Sequence, residues 1–217
     1  MSDRDVNYDK GRQARIGMPE AVFCEGKTPE QIESAVAQAL TVSEGVLLTR
    51  LSAEVAEALS VAPLDYDIES RTGIVGAGRS PDGPPDVAVV AAGSSDLPVA
   101  REAIRTLGFF GISAQEYADV GVAGLWRLLE IQEELSAYRV VIAVAGMEGA
   151  MFTVLGGLIP GLVVAVPASI GYGVARDGAA ALHSALASCA QGIVAVNIDN
   201  GYGAACAATR VLGPPTE

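Results

Sequence analysis

From Val87 onward the chain alternates two kinds of stretch. Short runs with almost no polar residue, "DVAVVAAGSSD", "RVVIAVAG", "GLVVAVP" and "GIVAVNI", stand between longer segments with helical spacing of apolar residues. Runs that do not alternate polar and apolar are buried on both faces. For strands, that means a parallel sheet covered by helices on both sides. The segments "LPVAREAIRTLGFFG", "VGVAGLWRLLEIQEELSAY", "MEGAMFTVLGGL", "VARDGAAALHSALASCA" and "GYGAACAATRVL" predict those helices. "ISAQEYAD" is a shorter, more polar strand and belongs nearer a sheet edge. The alternation predicts an α/β fold: a doubly wound, three-layer, Rossmann-like domain of about five strands.

Before Val87 the pattern differs. "GKTPEQIESAVAQAL" is a helix with visible start signals. Thr28 caps it, Pro29 takes the first helical position, and Gln31 completes a capping box. "GVLLTRL" reads as a strand, "SAEVAEALS" as a short helix and "PLDYDIESRTGIVG" as a strand or hairpin. The first stretch, residues 1–27, is charged and aperiodic. "GAGRSPDGPPDV" carries three Gly and three Pro and reads as a linker, with the boundary near residues 78–85. The chain thus divides into a small α+β N-terminal domain with a charged arm, residues 1–80, and an α/β domain, residues 81–217.

Composition narrows the reading. Half the residues are hydrophobic but only 5% are aromatic, so the core must be built from Val, Ala, Leu and Ile. The formal charge of −12 is opposite to that of a general nucleic-acid binder. An anionic ligand must therefore be held by local backbone N–H groups, Arg or a metal. The three cysteines show no CxxC spacing and form no disulfide framework. The opening "MSDRDVNYDKGRQARIG" is polar, without the character of a secretion signal. The apolar run Ala150–Ala168 is broken by Gly-Gly, Pro-Gly and a further Pro, so it reads as helix, loop and buried strand. The expectation is a soluble cytoplasmic protein with neither membrane nor nucleic acid as partner.

Open parallel sheets bind ligands beyond the C-terminal ends of their strands. That rule selects five loops: Gly93–Asp96, Asp119–Gly121, Gly146–Gly149, the stretch after Val166–Pro167, and Asn197–Gly201. In "AAGSSD", loop amides with Ser94 and Ser95 could hold an anion, or a Ser or Asp could cap the helix Leu97–Leu107. Neither a GxGxxG nor a Walker A lysine is present. Asp119 reads first as an N-cap. Glu148 is either a complement to a helix N-terminus or a base. "VNIDNGYG" gathers Asn197, Asp199 and Asn200, as an Asn-Gly turn or a binding loop. His183 lies inside a helix expected to end at Cys189, and the two point to different faces. Cys24 and Cys206 read as packing residues, and spacing alone favours the same for Cys189.

The strings "AAGSSD", "DVGVAG", "VVIAVAGMEGA", "VVAVPASIGYG" and "SCAQGIVAVNIDNGYGA" together resemble the LarB family, which makes the first intermediate of the nickel-pincer nucleotide cofactor of lactate racemase. "GKTPEQIE", "LLTRLSAE" and "LDYDIESRTG" resemble the same family's leading domain, so the likeness covers most of the chain. More distantly, the C-terminal half is similar to PurE, the aminoimidazole ribonucleotide carboxylase/mutase. Where PurE carries its Ser-Ala-His-Arg histidine, this chain has "EYADVGVAG".

The LarB resemblance implies carboxylation of nicotinic acid adenine dinucleotide at carbon 5 of the pyridinium, with carbon dioxide or bicarbonate as co-substrate. Hydrolysis of the phosphoanhydride accompanies it, giving pyridinium-3,5-dicarboxylate mononucleotide and AMP. The resemblance maps the nucleophilic cysteine to Cys189 in "SCAQG". An electron-poor pyridinium does not attack carbon dioxide until a thiolate adds to carbon 6 and leaves carbon 5 nucleophilic. Glu148, Asp96 and Asp119 are the candidate carboxylates. Gly93, Ser94, Ser95, Asp96, Gly146, Met147, Gly149, Asn197, Asp199, Asn200 and Gly201 are the candidate binding residues. With two lysines in an acidic chain, magnesium is the expected partner of the phosphates, its ligands unnamed. Trp126 stands where the family pattern carries a histidine. The family further implies a PurE-like homo-octamer. A PurE-like mutase and a non-catalytic nucleotide-binding protein are the competing readings.

Overall fold

The computed structural model describes residues 6–81 and 83–213. Its elements follow the chain as α1 Arg12–Ile16, β1 Val22–Phe23, α2 Pro29–Ala39, β2 Gly45–Thr49, α3 Ala53–Ala58, β3 Leu64–Asp67 and β4 Thr72–Gly76. Then come β5 Val87–Ala91, α4 Leu97–Phe109, β6 Ala114–Tyr117, α5 Leu125–Glu130, α6 Gln132–Leu135, β7 Val140–Ala145, α7 Ala150–Leu158, β8 Leu162–Pro167, α8 Ala179–Leu186, β9 Ile193–Ala195 and α9 Gly201–Leu212.

The second group forms a five-stranded parallel sheet in the order β6-β5-β7-β8-β9. All of β5 and β7 is buried, as unbroken apolar runs require. The more polar β6 takes one edge. One face packs on α4 and α9 through Leu107, Ile142, Val164 and Ala205. The other packs on α5 to α8 through Leu128, Phe152, Leu155 and Ala181. The chain is an α/β protein whose doubly wound sheet follows a small α+β region.

That region is a four-stranded sheet in the order β1-β2-β4-β3. The Thr28–Gln31 capping box forms in both directions. "PLDYDIESRTGIVG" is a hairpin, β3 pairing antiparallel with β4. β1, inside the aperiodic arm, pairs parallel to β2. Two residues are too few to show a period. The linker stretch, of which Asp82 lies outside the described residues, is pinned where Arg79 N donates to Phe109 O at 3.1 Å.

The small sheet lies against α4 and α9. A shared apolar cluster of Met18, Leu47, Phe109 and Phe110 also takes in Tyr202 and Cys206. Polar ties surround it. Arg105 reaches Asp65 at 3.1 Å and Thr72 at 2.7 Å, and Arg101 pairs with Glu69.

Three helices differ from the sequence pattern. "VGVAGLWRLLEIQEELSAY" breaks into a 3-10 turn, α5 and α6, because Gly124 (φ −117°, ψ 64°) and Ile131 (φ −102°, ψ 4°) leave helical geometry. α4 runs two residues past Leu107, to Phe109. The predicted helix from Val174 begins as a 3-10 turn kinked at Asp177 (φ 62°) and ends at Leu186, short of Cys189. Among the described residues, no helix is long and apolar enough to cross a membrane.

Phe152 is fully buried between α7 and the sheet. Phe152→Ala should lower unfolding stability by about 3–5 kcal/mol, read as an earlier urea midpoint at unchanged slope.

Candidate active site

In the sheet order, β5 is flanked by β6 on one side and β7 on the other, so successive connections leave in opposite directions. The crevice at such a switch point lies between the loops that follow β5 and β7. Asp96 occupies it. Its Oδ2 accepts from Gly93 N at 2.9 Å and its Oδ1 from Gly146 N at 3.2 Å. The carboxylate is buried and joins the two loops directly. Burial raises its pKa above 3.8, the two amide bonds pull it back, and Asp199 adds a further upward push. Asp96 therefore does not cap α4 with its side chain. The backbone of Gly93–Asp96 turns into a short 3-10 segment, and both Asp96 oxygens are taken by amides.

The neighbouring loops are laced to this pair. Met147 N donates to Ile170 O at 2.9 Å, and Ala168 N to Ala145 O at 2.9 Å. Asp199 N donates to Pro167 O at 2.8 Å, while Asp199 Oδ1 accepts from Ser169 N at 2.7 Å. Gly146 must be glycine, because a Cβ there would stand 2.2 Å from Ile170 O. Met147 (φ 50°) and Asp199 (φ 55°) hold left-handed backbone without being glycine, a strain that neighbouring bonds must sustain.

The structure thus brings together Gly93, Ser94, Ser95, Asp96, Gly146, Met147, Gly149, Asp199 and Asn200 around one end of the sheet. Ser94, Ser95 and Glu148 are exposed, and no described residue bonds the Glu148 carboxylate. Asn200 caps α9, accepting from Gly203 N at 2.8 Å. Asn197 is exposed, its Oδ1 accepting from Ile198 N at 2.9 Å. Asp119 (φ 56°) is not an N-cap: Gly121 holds that position, and Asp119 pairs with Arg127 at 2.7 Å. Arg127 folds back over Gly124 to reach it, which the spacing of the two residues did not indicate.

Cys189 stands apart. It is exposed in the turn that leads from α8 into β9, whereas Asn197–Gly201 leave the opposite end of β9. Ser188, beside it, exchanges a hydrogen bond with Thr153 of α7 at 2.8 Å. Cys24 is buried and its thiol is pushed up to about 12 by burial. Cys206 lies in the cluster between the small sheet and α4, and burial raises its pKa too. Neither thiol is poised as a thiolate. His183 is exposed on α8, and Trp126 is 63% exposed on α5.

Sequence reasoning missed Arg50. It follows β2 in the small sheet, with φ 54°, and its guanidinium donates to Asp199 O and pairs with buried Glu102 at 3.7 Å. "LLTRL" carries no signal that this arginine faces a loop 149 residues away. A groove of about 1070 Å³ lies at the other end of the large sheet, lined by Tyr8, Glu44, Asp86 and Arg139. It holds none of the crevice residues. Its mixed charges suit no one ligand class. Among the described residues, no group of three or more His, Cys, Asp or Glu side chains gathers to hold a metal ion.

The chain belongs to the AIR carboxylase family, which matches residues 86–217. Residues 4–77 match the LarB/PurE-like N-terminal domain, and the combination makes this a LarB-family protein with a PurE-like C-terminal half. The chain is 34% identical over 223 residues to the uncharacterized protein MJ0165 of Methanocaldococcus jannaschii, covering 92% of this chain and 80% of that one. Two crystal structures from Treponema denticola are similar at 22% identity. PurE covers 59% of this chain and 80% of its own at a TM-score of 0.47, and a PurE2 variant covers 60% and 80% at 0.48.

Because Asp96 holds its proton to higher pH in the folded protein than in the unfolded chain, the stability it contributes is lost as pH rises through the window above 3.8. Urea titrations across that window should show this decline in the wild type and a shallower one in Asp96→Asn, where buried Glu102 still contributes its own share.

Proposed function

We propose that the protein carboxylates carbon 5 of the pyridinium ring of nicotinic acid adenine dinucleotide and hydrolyses its phosphoanhydride. The products are pyridinium-3,5-dicarboxylate mononucleotide and AMP. The observation that carries this reading over a purine mutase is the joining of the LarB-type leading domain to a carboxylase core whose β6 exit, "EYADVGVAG", has no histidine. The chain's one histidine, His183, is exposed on α8 instead.

The chemistry suits the residues. The Cys189 thiolate adds to the ring carbon beside carbon 5, and the ring becomes an electron-rich dienamine. Carbon 5 forms its bond to carbon dioxide. A base then takes the carbon 5 proton, the carbon–sulfur bond breaks, and the electron pair returns to sulfur as the ring regains aromaticity. Glu148 is assigned as that base, since its carboxylate is exposed and unengaged while both oxygens of Asp96 are committed. Ser94 and Ser95, through their exposed hydroxyls and their own backbone amides, receive a phosphate. Among the described residues, the side chains do not gather into a protein-held metal cage. Magnesium would instead arrive with the phosphates as their counter-ion, in keeping with its habit of retaining water and binding few carboxylates.

β9 separates Cys189 from the Asn197–Gly201 loop of its own chain. We infer a homo-octamer in which one copy's thiol faces another's crevice. Trp126, Leu129, Tyr172, Val174, Leu186 and Val194 supply exposed apolar surface for such contacts.

Incubation with nicotinic acid adenine dinucleotide, bicarbonate and magnesium should release AMP and the dicarboxylated mononucleotide. Cys189→Ala should abolish carboxylation while Cys206→Ala largely spares it. Turnover of a purine carboxylate with none of the dinucleotide would sink the reading. Mixed assemblies of Cys189→Ala and Glu148→Gln subunits should regain activity that neither shows alone.

A further inference from the structure

We propose that Arg50 is a positioning residue for the Asn197–Gly201 loop, through which the N-terminal sheet sets the shape of the crevice. The guanidinium makes two contacts. It donates to the carbonyl of Asp199, and it pairs with the Glu102 carboxylate at 3.7 Å. Glu102 is 4% exposed, on α4, and its carboxylate lies against Gly201 at the start of α9, where the Gly201 and Tyr202 amides favour its charged form. One arginine therefore acts on both ends of the turn, the carbonyl before it and the anion that anchors the helix after it. The turn has little freedom to choose another path. A Cβ on Gly201 would stand 2.3 Å from Val99 O, so α9 is held hard against α4. Arg50 (φ 54°) and Asp199 (φ 55°) both hold left-handed backbone at the contact.

The groups facing Glu102 are Arg50 from the small sheet, Asp199 from the loop, and the two α9 amides. Burial pushes the Glu102 carboxyl above its ordinary range, and Arg50 pulls it back. Without Arg50, Glu102 takes up its proton at higher pH, and a protonated Glu102 loses part of its hold on α9. The small sheet does not depend on Arg50 for docking. Arg101–Glu69, Arg105–Asp65 and the Met18–Leu47–Phe109–Phe110 cluster remain.

The inference rests on the functional reading only in what it takes the crevice ligand to be. The test therefore begins on the free protein. Amide hydrogen exchange across residues 197–204 should quicken at least about tenfold in Arg50→Met, while β5, β7, β8 and the β2–β4 pairing keep their protection. Arg50→Lys keeps the charge near Glu102 but lacks the planar fork, so it should fall between Arg50→Met and the wild type. Unchanged exchange in the loop overturns the proposal. So does an equal loss across β2–β4 and α4, which would mean simple undocking. With nicotinic acid adenine dinucleotide, Arg50→Met should raise KM about tenfold with little change in kcat, and should move the acid limb of the pH profile to higher pH, whereas Arg50→Lys leaves that limb in place. Absence of turnover in the wild type strikes the functional reading alone, because exchange has already decided the role of Arg50.

Discussion

The carboxylate of Asp96 is the contact on which the crevice depends. A parallel sheet with a reversal in strand order leaves an open seam where two loops diverge, and nothing in the sheet's own hydrogen bonding closes it. Asp96 spans that seam, taking the Gly93 amide with one oxygen and the Gly146 amide with the other. Burying a carboxylate is costly, and the raised pKa of Asp96 reflects that cost. The two amide bonds offset it. From this tie the other loops follow in sequence: Met147 onto Ile170, Asp199 onto Pro167 and Ser169.

The N-terminal sheet is part of the same construction. It covers the α4–α9 face and adds an arginine to the loop after β9, while two further arginines on α4 reach back to its hairpin. Cys206, in the cluster between the small sheet and α4, is a packing residue held in apolar surroundings. Cys189 is the exposed thiol, free of that packing.

Much of this was legible in the chain. Unbroken apolar runs identify β5, β7 and β8 because burial on both faces leaves no room for polar alternation. The Thr28 capping box is local, and it formed as read. The strand-end rule drew Gly93–Asp96, Gly146–Gly149 and Asn197–Gly201 to one end of the sheet. What was not legible was each side chain's partner. Asp119 reads as a cap because the cap is its nearest use, yet Arg127 turns back to meet it. Asp96 reads as a cap for the same reason, and one oxygen does take the nearby Gly93 amide, yet the other goes to Gly146, 50 residues away.

By itself the sequence determined the element order, the parallel sheet, the loops at its ligand-binding end and the family to which the chain belongs. These follow from periodicity, turn chemistry and local motif, which act over a few residues. Only the tertiary structure decided that Asp96 bridges the crevice, that Arg50 grips the loop after β9 and that Cys189 lies at the other end of that strand. Those outcomes depend on where two distant backbones pass each other, and no spacing within a single segment encodes that.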